Sequence, residues 1–128
     1  MMTKRKKSRG QVEAEISDAF VRFEKEYMGR GPEDTRTHLI DDLVLVRLKG
    51  VLTPAEKQLA ASGDAARNSD LIKRVRIELL ERGRPLLEQI VSDATGRKVV
   101  SLHTDISIRT GERIVVFTLD GVPATADS

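Results

Sequence analysis

The chain has 128 residues, of which 39% are hydrophobic and 33% are charged. That length and composition are typical of one folded domain and argue against a disordered chain. Cysteine is absent, which excludes disulfides, thiolate metal sites and cysteine nucleophiles. Aromatic residues make up only 3%, so the platforms on which bases stack in single-strand-binding proteins are not expected.

Basic charge is concentrated at the N-terminus. The net charge is +2, but five of the 22 basic residues lie between Lys4 and Arg9, which leaves 17 basic against 20 acidic residues in the rest of the chain. We therefore interpret residues 1–10 as a disordered basic tail and expect no specific nucleic-acid binding by the folded domain. Contact of this tail with anionic lipid or nucleic acid stays open as an alternative.

No apolar segment accompanies the basic tail. Residues 10–15 read Gly-Gln-Val-Glu-Ala-Glu, so the core of a signal peptide is missing there. No apolar run approaches the roughly 20 residues that a membrane-spanning helix needs. Together with the lack of cysteine, this pattern predicts a cytoplasmic protein with no membrane span.

The first predicted element is an amphipathic helix. Apolar residues recur every three or four positions from Val12 to Tyr27, and the glycines and proline of Gly29-Arg30-Gly31-Pro32 end the pattern. Phe20, Phe23 and Tyr27 fall on the predicted core face, whereas Glu24 and the other acidic residues fall on positions expected to face solvent.

A hairpin and two helices are predicted next. The strands Thr37–Ile40 and Leu43–Leu48 flank Asp41-Asp42, and the second is apolar enough to be central in a sheet. Thr53-Pro54-Ala55-Glu56 then predicts a short helix that begins with a capping box.

The longest predicted helix runs from about Arg67 to Ala94, and Pro85 is expected to kink or break it. Its apolar side is assigned to the core and includes Leu71, Val75 and Leu86. Its charges, Arg76 and Glu78 among them, alternate in sign, which favours an exposed, salt-bridged face.

A second hairpin is predicted from Val99–Ile108 and Ile114–Leu119. Alternation along its first strand assigns Val100, Leu102, Thr104, Ile106 and Ile108 to the core and Ser101, His103, Asp105 and Ser107 to a polar face. The segment Leu43–Val51 resembles Ile114–Val122, either through a short internal duplication or through the shared composition of two central strands.

These elements predict an α+β fold. An antiparallel sheet built from two β-hairpins is expected to be packed on one face by the N-terminal helix and the long kinked helix. We expect a single domain over residues 11–120 and a flexible C-terminal tail over residues 121–128. An open sheet face favours self-association, so a homodimer is expected.

The polar face of the second hairpin is the best candidate site that the residues themselves indicate. His103, Asp105 and Ser107 point the same way at intervals of about 6–7 Å, with Arg109 at the end of the strand. A nucleophilic triad needs hydrogen bonds of about 3 Å, so this spacing favours a surface that contacts a partner or ligand over a catalytic site.

Other chemistry finds little support in the sequence. The glycines at Gly29–Pro32 follow a helix rather than a strand, so they do not form a phosphate-binding loop. The two histidines, His38 and His103, lie in different hairpins, and a metal site would need carboxylate ligands as well. We therefore predict no catalytic residue, no metal site and no cofactor.

Several runs resemble the MpsC family, the small component associated with a sodium-translocating, membrane-potential-generating system in bacteria. The resemblance covers about residues 12–120, and its most specific part is Arg-Leu-Lys-Gly-Val-Leu-Thr-Pro-Ala-Glu. The matching runs are Gly29–Pro32, Leu45–Lys57, Leu102–Ser107, Thr110–Glu112 and Val116–Phe117. It implies association with a transport or inorganic-carbon-related system, and it carries over no catalytic residue.

The resemblance and the strand pattern together define a candidate binding surface. Its members are Arg30, Arg47, Lys49, His103, Asp105, Ser107 and Glu112. The expected function is that of a non-enzymatic accessory or regulatory protein that binds a partner, such as a membrane transport protein, through the sheet. The alternatives are a small-molecule or anion-binding module that uses Arg30, Arg47 and His103, and then nucleic-acid binding through the basic tail.

Overall fold

The computed structural model describes residues 6–127, which form three helices and four strands. The helices are α1 (Arg9–Met28), α2 (Pro54–Ala61) and α3 (Ala65–Thr95). The strands are β1 (Asp34–Ile40), β2 (Leu43–Lys49), β3 (Val99–Ile106) and β4 (Arg113–Leu119). The predicted α+β class is confirmed.

The four strands form one antiparallel sheet in the order β1-β2-β4-β3. Each predicted hairpin contributes an edge strand and a central strand, and the hairpins join where β2 pairs with β4. Asp41 makes the first hairpin turn with a φ of 54°, a left-handed conformation that aspartate tolerates better than most residues. The prediction that β2 is central is confirmed.

The core lies between one face of this sheet and the helices α1 and α3. Val44, Val46 and Leu48 of β2 alternate toward it, and so do Val115 and Phe117 of β4, all with no measurable exposure. Phe20 of α1 meets Phe117 edge-on, with ring centroids 6.0 Å apart. Among residues 6–127, no helix packs on the opposite face of the sheet.

Helix α1 begins at Arg9, three residues before the predicted start, because Ser8 and Gln11 form a capping box. Arg9 and Gly10, which the sequence assigned to the basic tail, are therefore helical, and residues 1–5 of that tail lie outside the described residues. At the other end of the chain, the amide of Ala126 donates to the carbonyl of Lys7 at 2.9 Å. Residues 121–127 thus return to the start of α1.

Of the kink or break expected at Pro85, the break does not occur: α3 continues from Ala65 to Thr95. Leu71, Val75 and Leu86, assigned to the core, are instead 43–49% exposed. The buried residues of α3 follow a narrower stripe through Ile72, Leu80, Leu87 and Val91, so this wide apolar face is only half covered.

Two further core assignments were wrong. Val100 is 65% exposed because the register of β3 shifts between Val99 and Ser101, and such an irregularity turns a side chain off its expected face. Tyr27 is 37% exposed, although its ring stacks on that of Phe23 at a centroid distance of 4.6 Å.

Close contact between α1 and α3 depends on Gly83. A Cβ at this position would lie 2.6 Å from Cζ of Phe23 and closer still to the neighbouring ring carbon. Gly83→Ala is therefore expected to lower the free energy of unfolding by about 1–3 kcal/mol through overpacking, although alanine favours helices over glycine by roughly 1 kcal/mol.

Urea unfolding measures this effect, and Gly10→Ala in α1 is the matched control. A Cβ at Gly10 would have no neighbour closer than 4.0 Å, so this variant should keep or gain stability. Equal changes in the two variants would contradict the packing role of Gly83.

Candidate functional site

The uncovered face of the sheet carries three rows of side chains, each running from β1 through β2 and β4 to β3. The first row is Ile40, Leu43, Thr118 and Ser101; the second is His38, Leu45, Val116 and His103; the third is Arg36, Arg47, Ile114 and Asp105. We call this surface the open face. Its central strands carry four half-buried apolar side chains together with Arg47 and Thr118, and its two edges are mostly polar, with the apolar Ile40 at one corner.

Ion pairs organise the charges at one end of the open face. Nε of Arg47 contacts Oε2 of Glu112 at 2.7 Å, and Nε of Arg36 contacts Oδ2 of Asp34 at 3.3 Å. Arg36 and Arg47 are register partners on adjacent strands, so their like charges would repel without these carboxylates. The pairs fix the direction of the two guanidinium groups.

A cleft of about 950 Å³ adjoins this end of the open face, bounded by α2, the end of β2 and the β3–β4 connection. Its charged walls are Arg47, Lys49, Lys57 and Arg109, opposed by Glu33 and Glu112. Gly50 and Gly111 lie at its base with φ of 65° and 74°, a conformation that residues with a Cβ rarely adopt. The amide of Val51 donates to the carbonyl of Gly111 at 3.1 Å and ties the two loops together.

The structure divides the predicted binding surface between these two places. Arg47, Lys49 and Glu112 line the cleft. Arg30 lies beside them and donates to the carbonyl of Leu52 at 3.3 Å and to Glu33 at 3.4 Å. The hydroxyl of Ser107 accepts from the amide of Thr110 at 3.2 Å and shapes the β3–β4 connection.

His103 and Asp105 lie away from the cleft, on the exposed edge strand β3 of the open face. Asp105 and Arg47 share a row with Ile114 between them, about 10 Å apart by strand spacing. Oδ1 of Asp105 also lies 3.6 Å from Nζ of Lys73 on α3. The open face therefore includes Arg47, His103 and Asp105, whereas Arg30 and Ser107 lie at its end.

Two charged residues that the sequence assigned to solvent are buried beneath the sheet. Glu24 of α1 is 1% exposed and Arg76 of α3 is 2% exposed. Arg76 donates to both carboxylate oxygens of Glu56, at 2.6 and 2.8 Å, and to the carbonyl of Val51 at 2.7 Å. The predicted solvent positions of Glu24 and Arg76 were therefore wrong.

A third buried charge, Arg113 of β4, faces Glu24 at 3.7 Å. Burial raises the pKa of Glu24, while the nearby charges of Arg113 and Arg76 oppose that change. Burial likewise lowers the pKa of Arg113, and Glu24 opposes it. For Glu56, burial alone would raise the pKa, but hydrogen bonds from Arg76 and the backbone of Thr53 outweigh it and lower the pKa.

The sequence did not assign some residues of the cleft, of the open face and of the buried ion pairs to those places. Lys57 joins the cleft only because α2 and the β3–β4 connection meet at the end of the sheet. Arg109, which the sequence placed at the end of the polar strand, lines the cleft as well. Arg36 and His38 join the open face through the pairing of β1 with β2. A signal did exist for Arg76, which lies four residues from both Ile72 and Leu80 in the buried stripe of α3.

Among residues 6–127, no group of three histidine, aspartate or glutamate side chains is placed to hold a metal ion. Within the same residues, no helix is both long and apolar enough to cross a membrane.

The model of the family described as "Na+-translocating membrane potential-generating system (MpsC)" matches residues 8–121, nearly the whole described chain. The chain belongs to the MpsC family. A relative of similar length is the "Uncharacterized protein YbcI" of Bacillus subtilis (strain 168), which is 46% identical over 114 residues. That alignment covers 89% of this chain and 90% of YbcI. No solved structure matches the chain.

Family membership confirms the resemblance drawn from the sequence. The matched region begins at Ser8, the N-cap of α1, and ends just after β4. It therefore includes every helix and strand, the open face and the cleft.

Proposed function

We propose that this MpsC-family protein is a non-enzymatic accessory component that binds a partner protein through the open face. The observation that carries the proposal is the apolar centre of that face, formed by Leu43, Leu45, Ile114 and Val116 within a polar edge. Protein interfaces commonly combine a desolvated apolar centre with a polar rim, and contiguous apolar patches mark interaction sites.

The family description suggests the class of partner that we propose. It refers to a system that translocates Na⁺ and generates a membrane potential, so the proposed partner is a membrane component of such a system. The cytoplasmic location expected from the sequence would place the open face where the inner surface of that component is accessible. The ion-paired Arg47 and the edge residue Asp105 would then give the contact its register.

Leu45→Glu is expected to weaken this binding at least tenfold, because it places a carboxylate at the apolar centre of the open face. The Arg47→Glu, Asp105→Arg double variant should weaken it as well, by inverting two of the three charges of one row. The measurement is co-sedimentation of the purified protein with membrane vesicles that contain the Na⁺-translocating component, with empty vesicles as a baseline.

Arg82→Glu is the matched control, because Arg82 is an exposed position of α3 beneath the sheet rather than on the open face. Each variant should first show wild-type circular dichroism and thermal unfolding. Retention of wild-type affinity by both open-face variants would contradict the proposal, and so would equal loss in Arg82→Glu.

A homodimer is the competing use of the same face. A two-fold axis parallel to the strands would place Arg36 opposite Asp105 of the partner subunit and Leu45 opposite Val116 of the partner subunit. Light scattering of wild type and Leu45→Glu separates the two uses. A dimer that Leu45→Glu converts to a monomer assigns the face to a second copy, whereas a wild-type monomer leaves it to the membrane component.

The cleft supports a second candidate function, binding of a small anionic molecule. Four basic side chains line it against two acidic ones, and Lys49, Lys57 and Arg109 lack an ion pair within the described residues. A phosphate- or carboxylate-bearing metabolite should then raise the melting temperature saturably in the wild type and not in Lys57→Gln, Arg109→Gln. A panel that stabilises neither protein would remove this candidate.

A further inference from the structure

The two edge strands of the sheet differ in how they are covered. Along β1, Glu13 of α1 accepts from the amide of Leu39 at 2.8 Å. Along β3, Lys73 of α3 contacts one end of the strand, 3.6 Å from Asp105, and no strand of residues 6–127 pairs with the outer side. An uncovered edge strand is a template on which another strand can pair. The edge available for pairing is therefore that of β3.

Three residues of β3 turn their backbone groups to this outer side. The amide of Ser107 donates to the β3–β4 connection at 2.8 Å, so the odd-numbered residues of this segment turn their amides and carbonyls toward β4. The even-numbered Leu102, Thr104 and Ile106 alternate with them and turn theirs outward. Ile106 agrees with this pattern, because its amide donates to the side chain of Asp105 at 2.8 Å.

A second copy of β3 fits this edge in a self-complementary register. Antiparallel pairing about a two-fold axis at Thr104 sets Leu102 opposite Ile106 of the partner subunit, and the outward amides and carbonyls then form hydrogen-bonded pairs. The same register sets the exposed His103 opposite Asp105 of the partner subunit, with Cα atoms about 4.5 Å apart. An axis at Asp105 would instead oppose two carboxylates, and an axis at His103 would oppose two imidazoles.

An exposed apolar residue of α3 lies beside the same axis. Ile77 is 54% exposed, and it lines a small cavity between α3 and β3 together with Thr104 and Ile106. It lies outside the buried stripe of α3, so packing within one chain leaves it in water. A two-fold axis at Thr104 brings the two copies of Ile77 toward each other beneath the paired strands, which favours association by removing apolar surface from water.

We propose that β3 pairs antiparallel with β3 of a second copy of this chain, about a two-fold axis at Thr104. The pairing joins two four-stranded sheets into one of eight strands. Asp105 then turns from the amide of Ile106 to His103 of the partner subunit, and that amide donates to the carbonyl of Leu102 of the partner subunit. Because the axis is perpendicular to the sheet, both open faces stay uncovered and point to the same side. The dimer therefore goes beyond the proposed function and leaves the open face free for it.

Sedimentation equilibrium at pH 7 tests this dimer. His103→Asp opposes two carboxylates at both copies of the pair and should weaken the dimer at least tenfold. Ile77→Glu should weaken it as well, because it places charge beside the axis. His38→Asp is the matched control, since it makes the same change on β1, the edge strand that α1 covers. A wild-type monomer at millimolar concentration, or equal weakening by His38→Asp, would overturn the proposal.

Mixing two variants tests the register. His103→Asp alone opposes two carboxylates, and Asp105→Lys alone opposes two basic side chains, so each should dimerise poorly. An equal mixture should form a heterodimer with about the wild-type affinity, because every pair then joins a basic and an acidic side chain. Circular dichroism should first show that both variants fold as the wild type does. A mixture that associates no better than its components would overturn this register.

Amide hydrogen exchange tests the pairing without any substitution. In the dimer, the amides of Leu102 and Thr104 donate across the axis, so their exchange should slow as the protein concentration rises through the Kd of the dimer. Fast exchange at both amides, in a sample that sedimentation shows to be dimeric, would overturn the proposal.

Discussion

Arg76→Met is expected to lower the free energy of unfolding by about 3–4 kcal/mol. The substitution removes three hydrogen bonds from a side chain that is 2% exposed and leaves the carbonyl of Val51 unpaired in the core. Losing one partner of a buried pair costs far more than the pair contributes net, because the other group stays buried without a partner. Urea unfolding at pH 7 measures the loss.

Lys73→Met, one turn earlier on α3, is the matched control. The side chain of Lys73 is 40% exposed and its pair with Asp105 spans 3.6 Å, so this variant should change stability by no more than about 0.5 kcal/mol. The loss in Arg76→Met should also shrink in acid. Hydrogen bonds lower the pKa of Glu56 below 4.5, so its ionised pair with Arg76 stabilises above that pH and is lost as pH falls further.

The effect of Arg76→Met should be centred on α2. None of the residues of α2 is fully buried, and Glu56 links the helix to the core while it also accepts from the amide of Thr53 at 2.8 Å. Amide hydrogen exchange should therefore accelerate in α2 of the variant before it does in α1 or the sheet. Unchanged protection of α2, or a comparable loss in Lys73→Met, would contradict this role of Arg76.

The elements were predictable where their signals are local. The capping box of Thr53 and Glu56 and the hairpin turn at Asp41 depend on residues within a few positions of each other. The capping box of Ser8 and Gln11 is an equally local signal for the earlier start of α1. Pro85 shows the limit of such signals. A proline inside a helix predicts a kink or a break, yet α3 continues through Pro85. The neighbouring Gly83 packs closely against Phe23 of α1.

Which residues lie together in the candidate site depends on the order of the strands, and no local signal in the sequence specifies that order. His38 and His103 belong to different hairpins, yet they end one row because β2 pairs with β4. The likeness of β2 and β4 fits their shared position as central strands. The polar faces of the strands were predictable from alternation, whereas the cleft required the positions of α2 and the β3–β4 connection.

The burial of Glu24 and Arg76 was not predicted, and the reason is different. Charged residues are seldom fully buried, so assigning Glu24 and Arg76 to solvent follows the usual statistics. Their spacing argued otherwise, because Glu24 lies four residues after Phe20 and four before Met28, all on the buried side of α1. A charge inside an apolar stripe is therefore a better indicator of a buried ion pair than its residue type.

Arg113→Met is expected to lower the free energy of unfolding by about 3–5 kcal/mol at pH 8 and by clearly less at pH 5. Glu24 would lose the nearest positive charge while it remains 1% exposed, so its ionised form would be strongly destabilised. Because burial already raises the pKa of Glu24 above 4.5, its contribution to stability is largest below that pH and is lost as pH rises through the folded-state pKa. Removing Arg113 raises the pKa of Glu24 further, so the variant loses more stability as pH rises.

Urea unfolding at several pH values between 5 and 8 measures this dependence, and a double-mutant cycle isolates the pair. The Glu24→Gln, Arg113→Met variant should recover most of the stability at pH 8, because no buried charge remains unpaired. Its stability should also vary less with pH than that of the wild type. If Arg113→Met loses the same free energy at pH 5 as at pH 8, or if the double variant is no more stable than the single one, Glu24 is not the charge that Arg113 compensates.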